Sequence, residues 1–228
     1  MATHLDLEEQ EQLDQLKAFW KQYGNLITWA LIAVLGAYAA WNGWNWWQRE
    51  QAVKAGAMYD ELDRAAQAGD ADKAGRVFAD LKERFPRTAF AEQGALLAAR
   101  TQFEKGQPDN ARATLAWVSE NAKEGEYQTI ARLRLAGVLL DEKKYDEALK
   151  QLDAATAKEF EALVADRRGD ILLAQGKKDE AKAAYGSAWK AMDASVQYRR
   201  LIDAKLTALG AAPEPEKPKT AVVAEAGK

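Results

Sequence analysis

Gly69-Asp70-Ala71-Asp72-Lys73-Ala74, Gly106-Gln107-Pro108-Asp109-Asn110-Ala111, Lys143-Lys144-Tyr145-Asp146-Glu147-Ala148 and Gly176-Lys177-Lys178-Asp179-Glu180-Ala181 align without gaps along one chain. Their last alanines stand 37, 37 and 33 residues apart. Four residues beyond each alanine comes a large apolar group: Phe78, Leu115, Leu152 and Tyr185. Three further on are Leu81, Val118, Ala155 and Ala188, and twelve before each alanine are Leu62, Ala99, Ala136 and Gly169. A helical hairpin explains every column. The leading Gly, or a solvated Lys, ends the first helix in a left-handed turn that satisfies its last carbonyls. The Asp near the start of the second helix complements the exposed N–H groups and positive dipole end there. Pro108 suits a first helical turn for a related reason, since no N–H is needed there. Small residues fall where the two helices cross, and the aromatic or Leu wedges beside them.

A repeat of this length built from two helices has the tetratricopeptide period of about 34 residues. Pro86, twelve residues after Ala74, stands where such a unit closes. The pattern predicts helix pairs over 52–67 with 71–85, 89–104 with 108–122, 127–141 with 145–156, and 161–175 with 178–192. A further helix over 195–209 puts Tyr198, Leu201, Ile202, Leu206 and Leu209 at helical spacing and is expected to cap the stack. Each hairpin leaves an apolar face that only its neighbour covers, so the expected fold is all-α: an α-solenoid of about four hairpins over residues 50–210. A generic Ala-rich bundle is the bland alternative, and four motifs in one register argue against it.

Composition agrees. Good helix formers (Ala, Leu, Glu, Lys, Gln, Arg) dominate, strand signals are scarce, and 48% of the 228 residues are hydrophobic, enough to build a core. Three of the five prolines, Pro213, Pro215 and Pro218, sit in a 211–228 tail whose composition predicts disorder. A net charge of −3 and pI near 5.5 argue against a nucleic-acid partner. The chain has no cysteine, which excludes disulfides, thiolate metal sites and thiol nucleophiles.

Ahead of the repeats, no charged residue occurs between Lys21 and Arg49. Leu26 to Trp41 is nearly all apolar, followed by the aromatic cluster Asn42-Gly43-Trp44-Asn45-Trp46-Trp47. As a helix, Leu26 to Trp47 spans roughly 33 Å, enough for a hydrocarbon core of about 30 Å. Six of the eight tryptophans lie between Trp20 and Trp47, where indole rings would mark the two headgroup levels. The reading is a transmembrane helix over 25–48, embedded in the lipid bilayer and preceded by an acidic segment, 1–24. A buried core helix and a cleaved signal peptide are the alternatives. The first would rarely run so far without charge. The second has an Ala37-Tyr38-Ala39 cleavage-like site, but an acidic preceding region (Asp6, Glu8, Glu9, Glu11, Asp14) where a basic one is needed. Lys17 and Lys21 on one side balance Arg49, Lys54 and Arg64 on the other, so positive charge does not orient the helix. Gly36 with Ala40, or Ala33 with Ala37, have the small-xxx-small spacing that could seat a partner helix.

The stretch Val164-Ala165-Asp166-Arg167-Arg168-Gly169-Asp170-Ile171-Leu172-Leu173-Ala174-Gln175-Gly176-Lys177 narrows the assignment. Ala131-Arg132-Leu133-Arg134-Leu135-Ala136 and Ala148-Leu149-Lys150-Gln151-Leu152-Asp153 support it. With the acidic start and the early Trp-rich anchor, the chain resembles the YfgM family, the ancillary subunit of the SecYEG translocon. The resemblance covers nearly the whole chain except the Pro-rich tail. Its repeat motifs are common to all tetratricopeptide proteins; the architecture supplies the specificity. It implies a Gram-negative inner-membrane protein with its N-terminus in the cytoplasm and its repeats in the periplasm. The implied partners are SecYEG and the membrane-anchored chaperone PpiD, and the implied role is in handling newly translocated, still unfolded proteins.

No catalytic, cofactor-binding or metal-binding residues are expected, and the chain is read as a non-enzyme. His4 is the only histidine, and neither a phosphate-binding G-x-x-x-x-G-K-[ST] loop nor a G-x-G-x-x-G turn occurs. Paired carboxylates such as Asp141-Glu142 and Asp179-Glu180 fall at helix ends, where capping and solvation account for them. Arg167-Arg168 and Arg199-Arg200 could meet acidic partners or lipid headgroups, or simply form solvated faces. Along the first helices Gln102, Arg132, Asp166 and Arg168 are plausible contacts for a partner or an unfolded segment. The expectation is a periplasmic interaction module; a structural scaffold without client contact is the alternative.

Overall fold

The computed structural model describes residues 7–213, with side chains from residue 11. His4 and most of the Pro-rich tail lie outside the described residues. These fold into helices α1 (Leu7–Gln67), α2 (Ala71–Arg84), α3 (Ala89–Glu104), α4 (Pro108–Asn121), α5 (Gly125–Asp141), α6 (Tyr145–Asp153), α7 (Glu161–Ala174), α8 (Lys178–Ala191) and α9 (Arg199–Ala208). A single 3-10 turn, Lys158–Phe160, precedes α7, and there is no strand among the described residues. The chain divides into two compact units between Lys54 and Ala55.

In the first unit the apolar stretch is helical throughout and its side chains stand exposed: Leu26, Leu31, Leu35, Trp41 and Trp46 are all more than half accessible. Only 6% of the most apolar window is buried, which argues against the core-helix alternative. This helix is long and apolar enough to cross a membrane. Two of its polar side chains bond back to the helix. Thr28 Oγ1 donates to the Gly24 carbonyl at 2.8 Å and Asn42 Nδ2 to that of Tyr38 at 2.9 Å, which lowers the cost of placing these groups among apolar ones. Trp44 and Trp47 lie ring to ring at 5.4 Å.

The second unit is the predicted set of hairpins. Every first helix of a pair ends on a left-handed residue: Gly69 (φ 69°), Gly106 (76°), Lys143 (60°) and Gly176 (80°). The same two hydrogen bonds close each end; at Gly176, its N–H donates to Leu173 O at 2.9 Å and the Lys177 N–H to Leu172 O at 2.9 Å. Gly210 ends α9 in this way too. Asp72, Asp109, Asp146 and Asp179 all fall in the first turn of a second helix, and Asp70 caps α2 through the Lys73 N–H at 2.9 Å.

The repeat alanines Ala74, Ala111, Ala148 and Ala181 are fully buried, as is the wedge beside each: Phe78, Leu115, Leu152 and Tyr185 are at most 4% exposed. Burial of each wedge side chain stabilises the stack by about 1.5–3 kcal/mol. One apolar cluster runs from Leu62 through Val77, Leu115, Leu135 and Leu152 to Ile171. A second joins α7, α8 and α9 around Tyr185, Ile202 and Leu206. Leu149 packs against both.

Three boundaries differ from expectation. No break separates the apolar helix from the first repeat helix, because Arg49-Glu50-Gln51 are good helix formers and Lys54 pairs with Glu50 one turn back at 3.1 Å. The second helix of the third pair stops at Asp153 rather than 156. Side chains of α5 capture the backbone there: Arg132 donates to Ala154 O, and Thr129 Oγ1 accepts the Ala157 N–H at 3.2 Å. Ala155 consequently sits in the turn, half-buried, instead of at a helix crossing. Helix α9 begins at Arg199, four residues late, because Asp193 accepts from both N and Oγ of Ser195 and holds that stretch in a turn.

Candidate interaction groove

The first helices of successive hairpins, α3, α5 and α7, lie side by side and leave two cavities between them. One, about 490 Å³, is walled by Phe103, Leu115 and Val138, with Arg100, Glu104, Arg134, Asp141 and Arg167 around it. The other, about 230 Å³, is walled by Ile130, Leu133, Phe160 and Leu163, with Asp166 and Tyr198 beside them. Arg134 and Arg167 line both, so the two cavities form one groove. These arginines occupy the same register in consecutive repeats, fourteen residues before Ala148 and Ala181. Phe103 is 41% exposed, an aromatic ring presented to solvent at the groove's edge. A third cavity, about 420 Å³, lies between α2, α3 and α4 beside Arg76, Lys82 and Gln102.

Two of the four candidate contact residues are interior. Gln102 is 5% exposed and accepts from Thr114 Oγ1 at 2.9 Å, joining α3 to α4. Asp166 is 2% exposed and receives the Lys205 ammonium on both oxygens, at 2.8 and 2.9 Å, and the Tyr198 hydroxyl at 2.8 Å. The other two are committed to internal bonds: Arg132 to the carbonyls of Ala154 and Ser119, and Arg168 to Asp153 at 2.6 Å. All four hold the stack together. Helix α9 is fastened by the Asp166 cluster, since Lys205 also meets Asp170 at 2.7 Å and Tyr185 donates to Asp170 at 2.8 Å. Burial, reinforced by the bond to Asp166, pushes the Tyr198 phenol up to about 12, and burial pushes Tyr185 up further.

Arg134 is different. It is solvent-accessible, its one hydrogen bond goes to the Leu96 carbonyl at 3.1 Å, and no carboxylate among the described residues comes within ion-pair distance. The packing around it strips water from its guanidinium, and neighbouring Arg100 adds like charge, so its pKa is lowered. The sequence held a signal for this pair, two arginines 33 residues apart in one repeat register, but only the groove shows that they converge.

Stacked two-helix hairpins with left-handed first-helix ends and buried crossing alanines define a tetratricopeptide-repeat-like protein, and the family model described as a tetratricopeptide repeat-like domain matches residues 17–211. The chain is 34% identical over 212 residues to the ancillary SecYEG translocon subunit of Neisseria gonorrhoeae, covering 92% of this chain and all of that one. It is 30% identical to the subunit of that name in Haemophilus influenzae (80% of this chain, 89% of that one) and 28% identical to the one in Escherichia coli (80% and 86%). The chain belongs to the YfgM family of ancillary SecYEG translocon subunits.

Proposed function

We propose that this protein is a membrane-anchored interaction module of the secretion machinery, working beside SecYEG on newly translocated proteins. In this reading residues 25–48 cross the bacterial inner membrane, 1–24 lie in the cytoplasm, and the repeat domain, 50–210, faces the periplasm. The groove along α3, α5 and α7 receives an extended segment of an unfolded chain. The periplasmic chaperone PpiD is the partner that the family resemblance supplies.

The observation that carries the proposal is the groove itself: apolar walls, an exposed aromatic and two arginines of one repeat register along the first helices of successive hairpins. Tethering to the membrane raises the effective concentration of that groove beside emerging chains, so modest affinity suffices. The kinship with SecYEG subunits supports the location.

The test is site-specific crosslinking from Phe103 and Leu163 during translocation. Adducts to the translocating chain are expected; adducts to SecYEG or PpiD alone would replace this reading with that of a scaffold. Protease digestion of the C-terminal portion in intact spheroplasts is expected, and protection would reverse the orientation.

A further inference from the structure

We infer that the groove recognises a carboxylate: Arg134, where the two cavities meet, takes an Asp or Glu side chain of an extended polypeptide whose neighbouring large apolar side chains enter the cavities on either side. The inference rests on the groove being the binding face, and adds to it the chemistry of the segment bound.

The pattern of ion pairs around the groove points to this ligand. Three guanidinium groups, Arg100, Arg134 and Arg167, line the larger cavity. Arg100 is paired with Glu104 at 2.8 Å. Arg167 is paired with Asp170 through Oδ2 at 3.6 Å, while Lys205 (2.7 Å) and the Tyr185 hydroxyl take Oδ1 of that carboxylate. Asp166, beside the smaller cavity, is committed to Lys205 and Tyr198. Asp141 is the remaining negative group on the wall, and it forms no ion pair with Arg134. The lining as a whole is charge-balanced, three guanidinium groups against Glu104, Asp141 and Asp166, but Arg134 alone of the three arginines has no carboxylate within ion-pair distance among the described residues. The Arg167 guanidinium lies over α5 at Gly137, in ordinary contact distance (3.8 Å) of where a Cβ would stand. A partly dehydrated guanidinium gains more from a carboxylate than a fully solvated one, and its planar fork suits that group. Apolar walls flank the junction on both sides, Phe103 and Val138 on one, Ile130 and Leu163 on the other. An acidic residue between two large apolar ones matches this order of surfaces.

The experiment compares two fluorescent extended peptides on the full chain in detergent, identical except for a central Leu-Glu-Phe or Leu-Gln-Phe. The Glu peptide is expected to bind about tenfold tighter, with the preference shrinking at high salt. Arg134→Gln should abolish the preference while the Gln peptide still binds, and Arg134→Lys should retain part of it. Helical content and melting midpoint check that both variants fold, and the peptide comparison on the unaltered chain needs no variant. Equal affinities for the two peptides would overturn the carboxylate inference and leave the groove as a binding face. No binding of either peptide would overturn both.

Discussion

Gly169 on α7 faces the ring of Tyr185 on α8 so closely that a Cβ at position 169 would stand 2.5 Å from the ring carbons. The tyrosine is 1% exposed and its hydroxyl is fixed on Asp170, so it cannot swing aside. Leu62, Ala99 and Ala136 occupy this register in the other repeats, where the opposing wedges are Phe78, Leu115 and Leu152. Gly169 matches the ring that enters furthest. Gly169→Ala is expected to destabilise the fold by about 1–3 kcal/mol through overpacking. A guanidinium melt of the full chain followed by circular dichroism measures it, and an unchanged midpoint would mean that the ring has room to shift.

The cluster that fastens α9 offers a second test. Replacing Lys205 by Met leaves Asp166, almost wholly buried, without its cation, and Asp170 with only Arg167 at 3.6 Å. Removing one partner of such a pair costs about 3 kcal/mol. Hydrogen exchange should therefore rise over α9 and the facing part of α7 while α3 and α4 keep their protection. Uniform protection would show that apolar contacts at Ile202 and Leu206 alone hold the cap.

Alkali should reach this cluster as well. The folded protein holds the Tyr198 proton up to about 12, against an ordinary phenol value near 10. Between those values the unfolded chain releases the proton and the folded chain keeps it, so the stabilisation is complete below pH 10 and lost as pH rises through 12. Stability measured across that window should fall, and fall less in Tyr198→Phe. Tyrosinate absorbance gives the titration directly; ordinary ionisation of both Tyr185 and Tyr198 would contradict the geometry.

Helix ends can be tested in opposite directions. Gly106 has a φ of 76° and nothing within 4 Å of its missing Cβ, so Gly106→Ala pays only for the left-handed backbone, about 1 kcal/mol. Lys143, at φ 60°, already carries that cost, and Lys143→Gly should raise the melting midpoint. A midpoint lowered by Lys143→Gly would indicate that the lysine side chain contributes something the backbone does not.

Charge in the apolar helix should change how the protein partitions. Leu31→Arg, near the middle of the exposed apolar run, costs about 2.5–3.5 kcal/mol in a bilayer centre. Recovery of the variant in the membrane fraction after an alkaline wash is expected to drop relative to Leu31→Ala, and equal recovery would count against a spanning helix.

The repeats were readable because they are governed by local rules. A left-handed Gly, an acidic first turn and an alanine at a crossing each leave a mark within six residues, and four copies in register confirm one another. The ends of α6 and α9 were not readable. Thr129, Arg132 and Asp193 stop those segments, the first two by reaching across from α5. That two of the candidate contacts, Gln102 and Asp166, are interior was hidden for the same reason. Asp166 and Gln102 lie on first helices as expected, but their partners, Lys205 and Thr114, are distant in sequence, and nothing local reveals that a polar side chain has already been satisfied. Arg134 is the converse case, recognisable only by a carboxylate that is not there.

Three apolar clusters, linked through Trp117 and Leu149, mean that this core is strung out along the chain rather than gathered at one centre. Damage in such an arrangement stays where it happens. A protein that loses its grip at α9 would fray from that end inward, hairpin by hairpin, with the groove's first wall the last to go.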